Sequence, residues 1–288
     1  MPRLLCWALL WSLSSAALAL DISGLWDFGN PRLSEARFTA ALASASEDDK
    51  LLLTTQIART HGMRRDFAKA RDVLASIEPR LPQASAEVRV RHALELGRSY
   101  ASPVHGRETR STENLERART HFLRAYELAS AARLDNLAID ALHMMPVVDE
   151  TPDRQLEWNA KALAVMERSD QADAKRWEGS LRYNIAYARH LQGEHGSALE
   201  QLRLARAAYE RAGRLRGVRY TDWMIARTYR AQGRFAEALS LQLELERAWE
   251  RDGTPDPEVF EELEHLYRAL GDEPRARLYG DRRKAASP

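Results

Sequence analysis

One small pattern returns three times in the second half of the chain, and it constrains the fold more than any other feature. Ile185-Ala186 leads to Gly193 and Ala198, Ile225-Ala226 to Gly233 and Ala238, and Leu263 to Gly271 and Ala276. The alanine falls five residues after the glycine each time, and the glycines lie 40 and 38 residues apart. An aromatic residue (Tyr183, Trp223 or Phe260) stands ten or eleven residues before each glycine, and Tyr229 and Tyr267 precede the last two by four. Two antiparallel helices approach closely only where their facing residues are small, which the alanines provide, while the large residues fill the space one turn away. Glycine permits the turn between them. One hairpin cannot bury its apolar faces alone, so hairpins of this kind stack into an array.

The rest of the chain after Pro31 carries helical periodicity, with proline and glycine between the periodic stretches and no β-branched runs. Asn30-Pro31 places a capping side chain before a first-turn proline and predicts a helix near Arg32–Ala45. Ser46 followed by Glu47, Asp48 and Asp49 puts a cap and three acids where a helix dipole favours them. Ser85, Thr151-Pro152 and Asp256-Pro257 read as further helix starts.

These residues resemble the tetratricopeptide repeat family, whose pattern is a large aromatic, Leu-Gly with a nearby Tyr, then Ala, Phe and Ala on a second helix. Leu96-Gly97-Arg98-Ser99-Tyr100 matches the first-helix part, and Ala118, Phe122 and Ala125 match the second. Trp223, Ala226, Tyr229, Gly233 and Ala238 form the best single match, and Ala198, Leu202 and Ala205 give another second helix. Gly62, Ala70 and Leu74 suggest an earlier copy with a longer turn. The resemblance runs from about Leu51 to Tyr279. It implies an all-α, right-handed superhelical solenoid of about six stacked antiparallel hairpins. Residues 20–46 would form an N-terminal segment and capping helix, and 47–288 the repeats, with a loop insertion at 102–112. The spacing near 40 exceeds the family's 34, and the stretch from Asp135 to Arg168 matches poorly. Trp26 and Phe28 are expected to cover the open edge of the first hairpin, the alternative being an adhesive segment for a partner. The polar last helix suits a terminal repeat.

Function classes narrow on charge and cysteine. The chain has 43 basic and 42 acidic residues, which argues against a general nucleic-acid binder. Arginine far outnumbers lysine, a bias suggesting a GC-rich bacterial genome. Met1-Pro2-Arg3, the apolar run Leu4–Leu13 and Ala17-Leu18-Ala19 follow the order of a secretory signal peptide, 1–19, with cleavage expected after Ala19. The apolar run is too short to span a bilayer. The only cysteine, Cys6, would leave with the leader, so the exported chain, periplasmic in a Gram-negative bacterium or secreted, would have no disulfide or thiol chemistry.

No nucleophile elbow, phosphate-cradling glycine loop, zinc-protease motif or cysteine metal set is present. Asp140-x-x-His143 and Glu262-x-x-His265 have a spacing used in di-iron bundles, but such sites need two motifs brought together with further glutamates. Both pairs read as surface or turn residues. Neither a cofactor nor a metal is expected, nor catalysis. Arg203–Arg234 holds nine arginines against Glu210 and Asp222, and Glu244–Glu264 holds nine acids against Arg247 and Arg251. Either the two stretches neutralise each other, or they form a basic groove beside an acidic rim.

The resemblance implies a concave groove lined by the first helix of each hairpin. Aligned on the glycines, it would present Tyr183, Asn184, Tyr187 and His190, then Tyr220, Trp223, Arg227 and Arg230, then Glu261, His265 and Arg268, with Gln56, Arg59 and Arg98 from earlier hairpins. Tyr, Trp and Arg dominate binding hot spots, and arginine forks hold carboxylates. Trp223 is read both as groove and as core. The leading expectation is a protein-interaction scaffold holding an extended, acidic peptide or protein segment. On it, replacing Arg227 and Arg230 weakens binding without unfolding. A second expectation is an assembly component joined through charged ends as a homo-oligomer or envelope complex. A third, ranked last, is an envelope enzyme, which a deep pocket with two facing carboxylates would favour.

Overall fold

The computed structural model describes residues 20–286. The expected leader, Met1 to Ala19 with Cys6, lies outside the described residues. Within them every element is helical. Helix α1 (Pro31–Ala41) leads into α2 (Glu47–Met63), which pairs with α3 (Phe67–Ala75). The next pairs are α4 (Ala86–Tyr100) with α5 (Thr112–Ala131) and α6 (Asp135–Met144) with α7 (Pro152–Arg168). A single turn, α8 (Ala172–Lys175), precedes α9 (Glu178–Leu191) with α10 (His195–Arg211). Then come α11 (Leu215–Ala231) with α12 (Phe235–Arg251) and α13 (Pro257–Ala269) with α14 (Glu273–Ala286). Each hairpin stacks on the one before: α6 packs on α5, α9 on α7, α11 on α10 and α13 on α12.

Local sequence explains the boundaries. Asn30, Ser46, Ser85, Thr151 and Asp256 each accept a backbone N–H in the first turn of the helix they start. The third hairpin matches the repeat pattern poorly because Pro146 ends α6 early, in a short 3-10 turn over Met145–Val147. At the hairpin interfaces Ala118, Ala198, Ala238 and Ala276 are completely buried, as close helix contact requires.

The turns follow one scheme. Gly193, Gly233 and Gly271 take positive φ of 75–79°. The next residue then donates its N–H to the carbonyl five back: Glu194 to Arg189, Arg234 to Tyr229, Asp272 to Tyr267. Gly213 and Gly253 close the connections between hairpins in the same way. In the early array the same left-handed position belongs to Arg65 (φ 66°) and Arg133 (φ 55°). This corrects the alignment on Gly62: that glycine lies inside α2, and the helix runs on until Arg65 turns the chain. A side chain in this conformation costs roughly 1–2 kcal/mol, and the entropy of an unfolded glycine takes back about half. Arg65→Gly should therefore stabilise the chain by about 0.5–1 kcal/mol. A thermal midpoint that falls would mean that Arg65 makes contacts outweighing its strain.

The insertion is an ordered strap. His105 stacks on Phe67 with ring centroids 3.6 Å apart, and Ser102 Oγ lies 2.8 Å from its Nδ1. Arg110 donates to the carbonyl of Val147 at 2.9 Å. At the other end of the chain, Trp26 stacks on Phe28 at 4.8 Å, meets buried Phe38 edge-on and donates to Gln56 Oε1. No described helix is long and apolar enough to cross a membrane.

Candidate functional site

The first helices, α2, α4, α6, α9, α11 and α13, share one face, and a ladder of polar side chains runs across it from hairpin to hairpin. Glu95 on α4 lies 3.5 Å from Arg59 on α2 and receives a hydrogen bond from Arg98 at 2.6 Å. Arg98 reaches forward to Asp140 on α6 at 2.5 Å. Asn184 on α9 lies 3.2 Å from His143 Nδ1 and donates to Asn159 Oδ1 at 3.3 Å. His190 pairs with Thr228 on α11 at 3.1 Å. Arg230 clamps Glu262 on α13 with two hydrogen bonds, 2.7 and 2.9 Å. The partners that join one first helix to the next lie 32–42 residues apart, about one repeat.

Over α2, α4 and α6 lies a chamber of about 320 Å³. Arg59, Glu95, Arg98, Asp140 and His143 form its polar floor, and Phe28, Met63, Val104, Met144 and Trp177 its apolar walls. The insertion lines it at Ser102–Val104, as does Phe28. A shallower cleft continues past Pro103 and His143 to Asn159, Asn184 and Tyr187.

The chamber holds two carboxylates, but Arg98 is bonded to both. Burial alone would raise the pKa of Asp140; the guanidinium groups of Arg98 and Arg59 outweigh it and hold the carboxyl below its usual range. Burial also opposes the charge on Arg98, and Asp140 and Glu95 more than restore it. An acid–base couple needs one carboxyl that keeps a proton at the working pH, and Asp140 does not. His143 and His190 are both pushed towards neutrality, chiefly by burial; His190, with Arg227 close by, falls to about 4. Among the described residues no three potential ligand side chains converge on a metal position.

The expected site residues fall into separate groups. Arg98, Asn184 and Tyr187 lie along the chamber and its continuation. His190, Arg227, Arg230 and His265 gather around Glu262, with Arg227 and His265 3.8 and 4.0 Å from it. Tyr183 and Tyr220 flank a small cleft beside Tyr209, and Tyr220 also leans on Trp249. Trp223 packs between hairpins, donating to the carbonyl of Glu258, and carries Arg227 on its ring. Arg268 is exposed and paired with Glu264 at 2.8 Å, away from these groups.

Two expectations need correction. Asp140 and Glu262 are not surface or turn residues. Glu262 is buried and Asp140 is half-buried in the ladder, and an arginine of the preceding hairpin neutralises each. Arg227 and Arg230 cannot be removed without structural cost, since Arg230 is the main partner of buried Glu262. Of the two alternatives left open for the basic and acidic stretches, mutual pairing is the one with contacts behind it, although several of these side chains are exposed. Arg206 pairs with Asp222 and Glu210, Arg219 with Asp252, and the acids of α12 and α13 are met by Arg282 and Arg283 on α14. Alignment on glycine and aromatic residues missed Glu95, Asp140 and His143. The available signal was Arg98, which precedes Asp140 by 42 residues, close to the repeat period.

No protein-family model matches the sequence, and no curated protein sequence matches it. Solved structures match its shape. The apo form of RapI superimposes with a TM-score of 0.67 at 11% identity, over 89% of this chain and 71% of that one. A Rap protein complexed with Competence and Sporulation Factor gives 0.61 at 14%, over 90% and 72%. A signal-transduction ATPase with a tetratricopeptide repeat sensor, from Pyrococcus horikoshii, gives 0.65 at 12%, over 88% of this chain but only 39% of that one. At such identities the likeness is one of fold, and the fold is a tetratricopeptide-like helical solenoid.

Proposed function

We infer that this chain is an exported binding scaffold that holds an extended peptide or protein segment along the face of its first helices. Export rests on the leader-like order of residues 1–19. The observation that carries the binding reading is the ladder itself. The groove's polar side chains are tied to one another from repeat to repeat, so the chamber and its continuation stand open and ordered before any ligand arrives. Binding then costs little ordering of the protein. A neighbour of the same architecture holds Competence and Sporulation Factor, which supports a binding role for such an array. The arginine forks at Arg98 and Arg230 are already engaged. Along most of its length the groove therefore offers backbone-pairing groups and apolar surface, and general acidity of the ligand matters less than the arginine content suggests.

A photo-crosslinking residue placed at Tyr187, in the groove, and another at exposed Leu204, on the second helix α10, test this directly in the full chain. Adducts with an extended segment should form from position 187 and not from 204. Adducts only from 204 would sink the groove reading and turn attention to the outer helices.

A further inference from the structure

Most charged groups along the ladder have their bonds complete; Arg59 does not. Its one ion pair among the described residues is the 3.5 Å approach of Nη1 to Glu95, beyond good hydrogen-bond distance, and that carboxylate is bonded more closely by Arg98, at 2.6 Å. The remaining contacts of Arg59 are with ring faces: its guanidinium carbon lies 5.5 Å from the centroid of Trp26 and 5.8 Å from that of Phe28. The aromatic pair fixes the guanidinium plane without using its N–H groups. Burial and the neighbouring charge of Arg98 both work against the Arg59 cation, opposed by Glu95 and Asp140, and they leave its pKa lowered. A further anion beside it would relieve this.

The surroundings define what that anion is attached to. Arg59 lines the chamber, and Met63, Val104, Met144 and Trp177 on the other walls suit an apolar side chain. At about 320 Å³ the space is at the small end of ligand pockets, which run from about 300 to 1,000 Å³. Among the described residues the chamber also lies at the α2 end of the groove, where exposed Phe28 lines it. Gly62 lines the same wall, one residue from the end of α2. A Cβ added there would meet nothing within 4 Å, so the space over it is open.

We propose that this chamber is a recognition site for a carboxylate carried next to an apolar side chain, with the carboxylate on Arg59 and the side chain between Met63, Met144 and Trp177. An amine is the wrong match, since Glu95 and Asp140 are both taken up by Arg98. The proposal rests on the groove reading and names the chemistry at its α2 end. Two sources present this chemistry: the C-terminal residue of a peptide, and a free small acid such as an N-acylated amino acid.

The test uses N-acetyl-leucine and N-acetyl-alanyl-alanyl-leucine, each as free acid and as amide, titrated calorimetrically into the full chain. The acids should bind at least tenfold more tightly than the amides. Arg59→Gln should abolish that preference, while Arg98 continues to hold Glu95. Gly62→Leu fills the open space on a helix that gains from losing a glycine, so it should keep the thermal midpoint and lose binding of both acids. A tighter tripeptide acid identifies a peptide terminus as the source, and equal affinities identify a small carboxylate; either sustains the proposal. Acid and amide binding alike, no binding by any probe, or a Gly62→Leu chain that binds as well as the parent would overturn it. Crosslinking from position 187 together with any of those results ends this proposal and leaves the groove reading standing.

Discussion

Replacing Arg98 with alanine should be the most damaging single change in the groove, lowering stability by roughly 3–5 kcal/mol, the cost of stripping the partner from a buried charge. Glu95 is 3% exposed and Asp140 13%, and Arg98 binds both. After its removal Glu95 keeps only the 3.5 Å contact with Arg59, and Asp140 keeps no ion pair. Against a typical total of about 5–15 kcal/mol, such a loss takes a large share. Denaturant titration would register it as a fall in midpoint at unchanged slope. The companion variant is informative: Arg98→Met with Glu95→Gln and Asp140→Asn removes all three charges together. It should recover most of the loss, because a buried ion network replaced as a unit costs far less than one left unbalanced. If Arg98→Ala alone were neutral, the two carboxylates must reach water, and the chamber would be wetter and looser than its packing indicates.

The second large effect lies in the second hairpin. Phe122 is wholly buried on α5, and its ring rests against the backbone of Gly97 on α4. Truncation to alanine should cost about 3–5 kcal/mol through lost apolar burial and the cavity left behind. The reverse approach fails as well: a Cβ on Gly97 would come within 2.6 Å of the ring, and overpacking of this kind costs typically 1–3 kcal/mol. The two positions are therefore coupled. Gly97→Ala should be markedly better tolerated beside Phe122→Leu than alone, a non-additivity that a double-mutant cycle of thermal midpoints measures. Simple additivity would mean that α4 and α5 can slide apart without penalty.

The hairpin class was legible in the sequence because its determinants are local. Gly193, Gly233 and Gly271 stand where the backbone turns left-handed, and alanines such as Ala238 stand where helices touch. Caps such as Ser46 and Thr151 likewise act on their own first turn. Legibility failed where a residue without the usual marker did the same job, as at Arg65 and Arg133, whose strain no composition rule announces. It failed more seriously in the groove. Whether Arg230 is a free fork or half of a buried pair depends on Glu262, which stacking brings to it from 32 residues away. Asp140 looked superficial for the same reason, since its neutralising partner belongs to the preceding hairpin. Read alone, an arginine on a first helix suggests a ligand contact. Only Arg59, on the first hairpin among the described residues, is left in that condition within the chamber.

The strap between α4 and α5 carries a consequence for how the molecule comes apart. In a linear array each hairpin is held mainly by its immediate neighbours, so opening can start at an end and move inward. Here His105 grips Phe67 of the preceding hairpin and Arg110 grips Val147 of the following one, tying three hairpins together along the turn edge as well as through their helix faces. Those three should open as a single cooperative block, with amide protons of α2, α4 and α6 exchanging together. The hairpins beyond α8 have no such tie and should fray stepwise from α14.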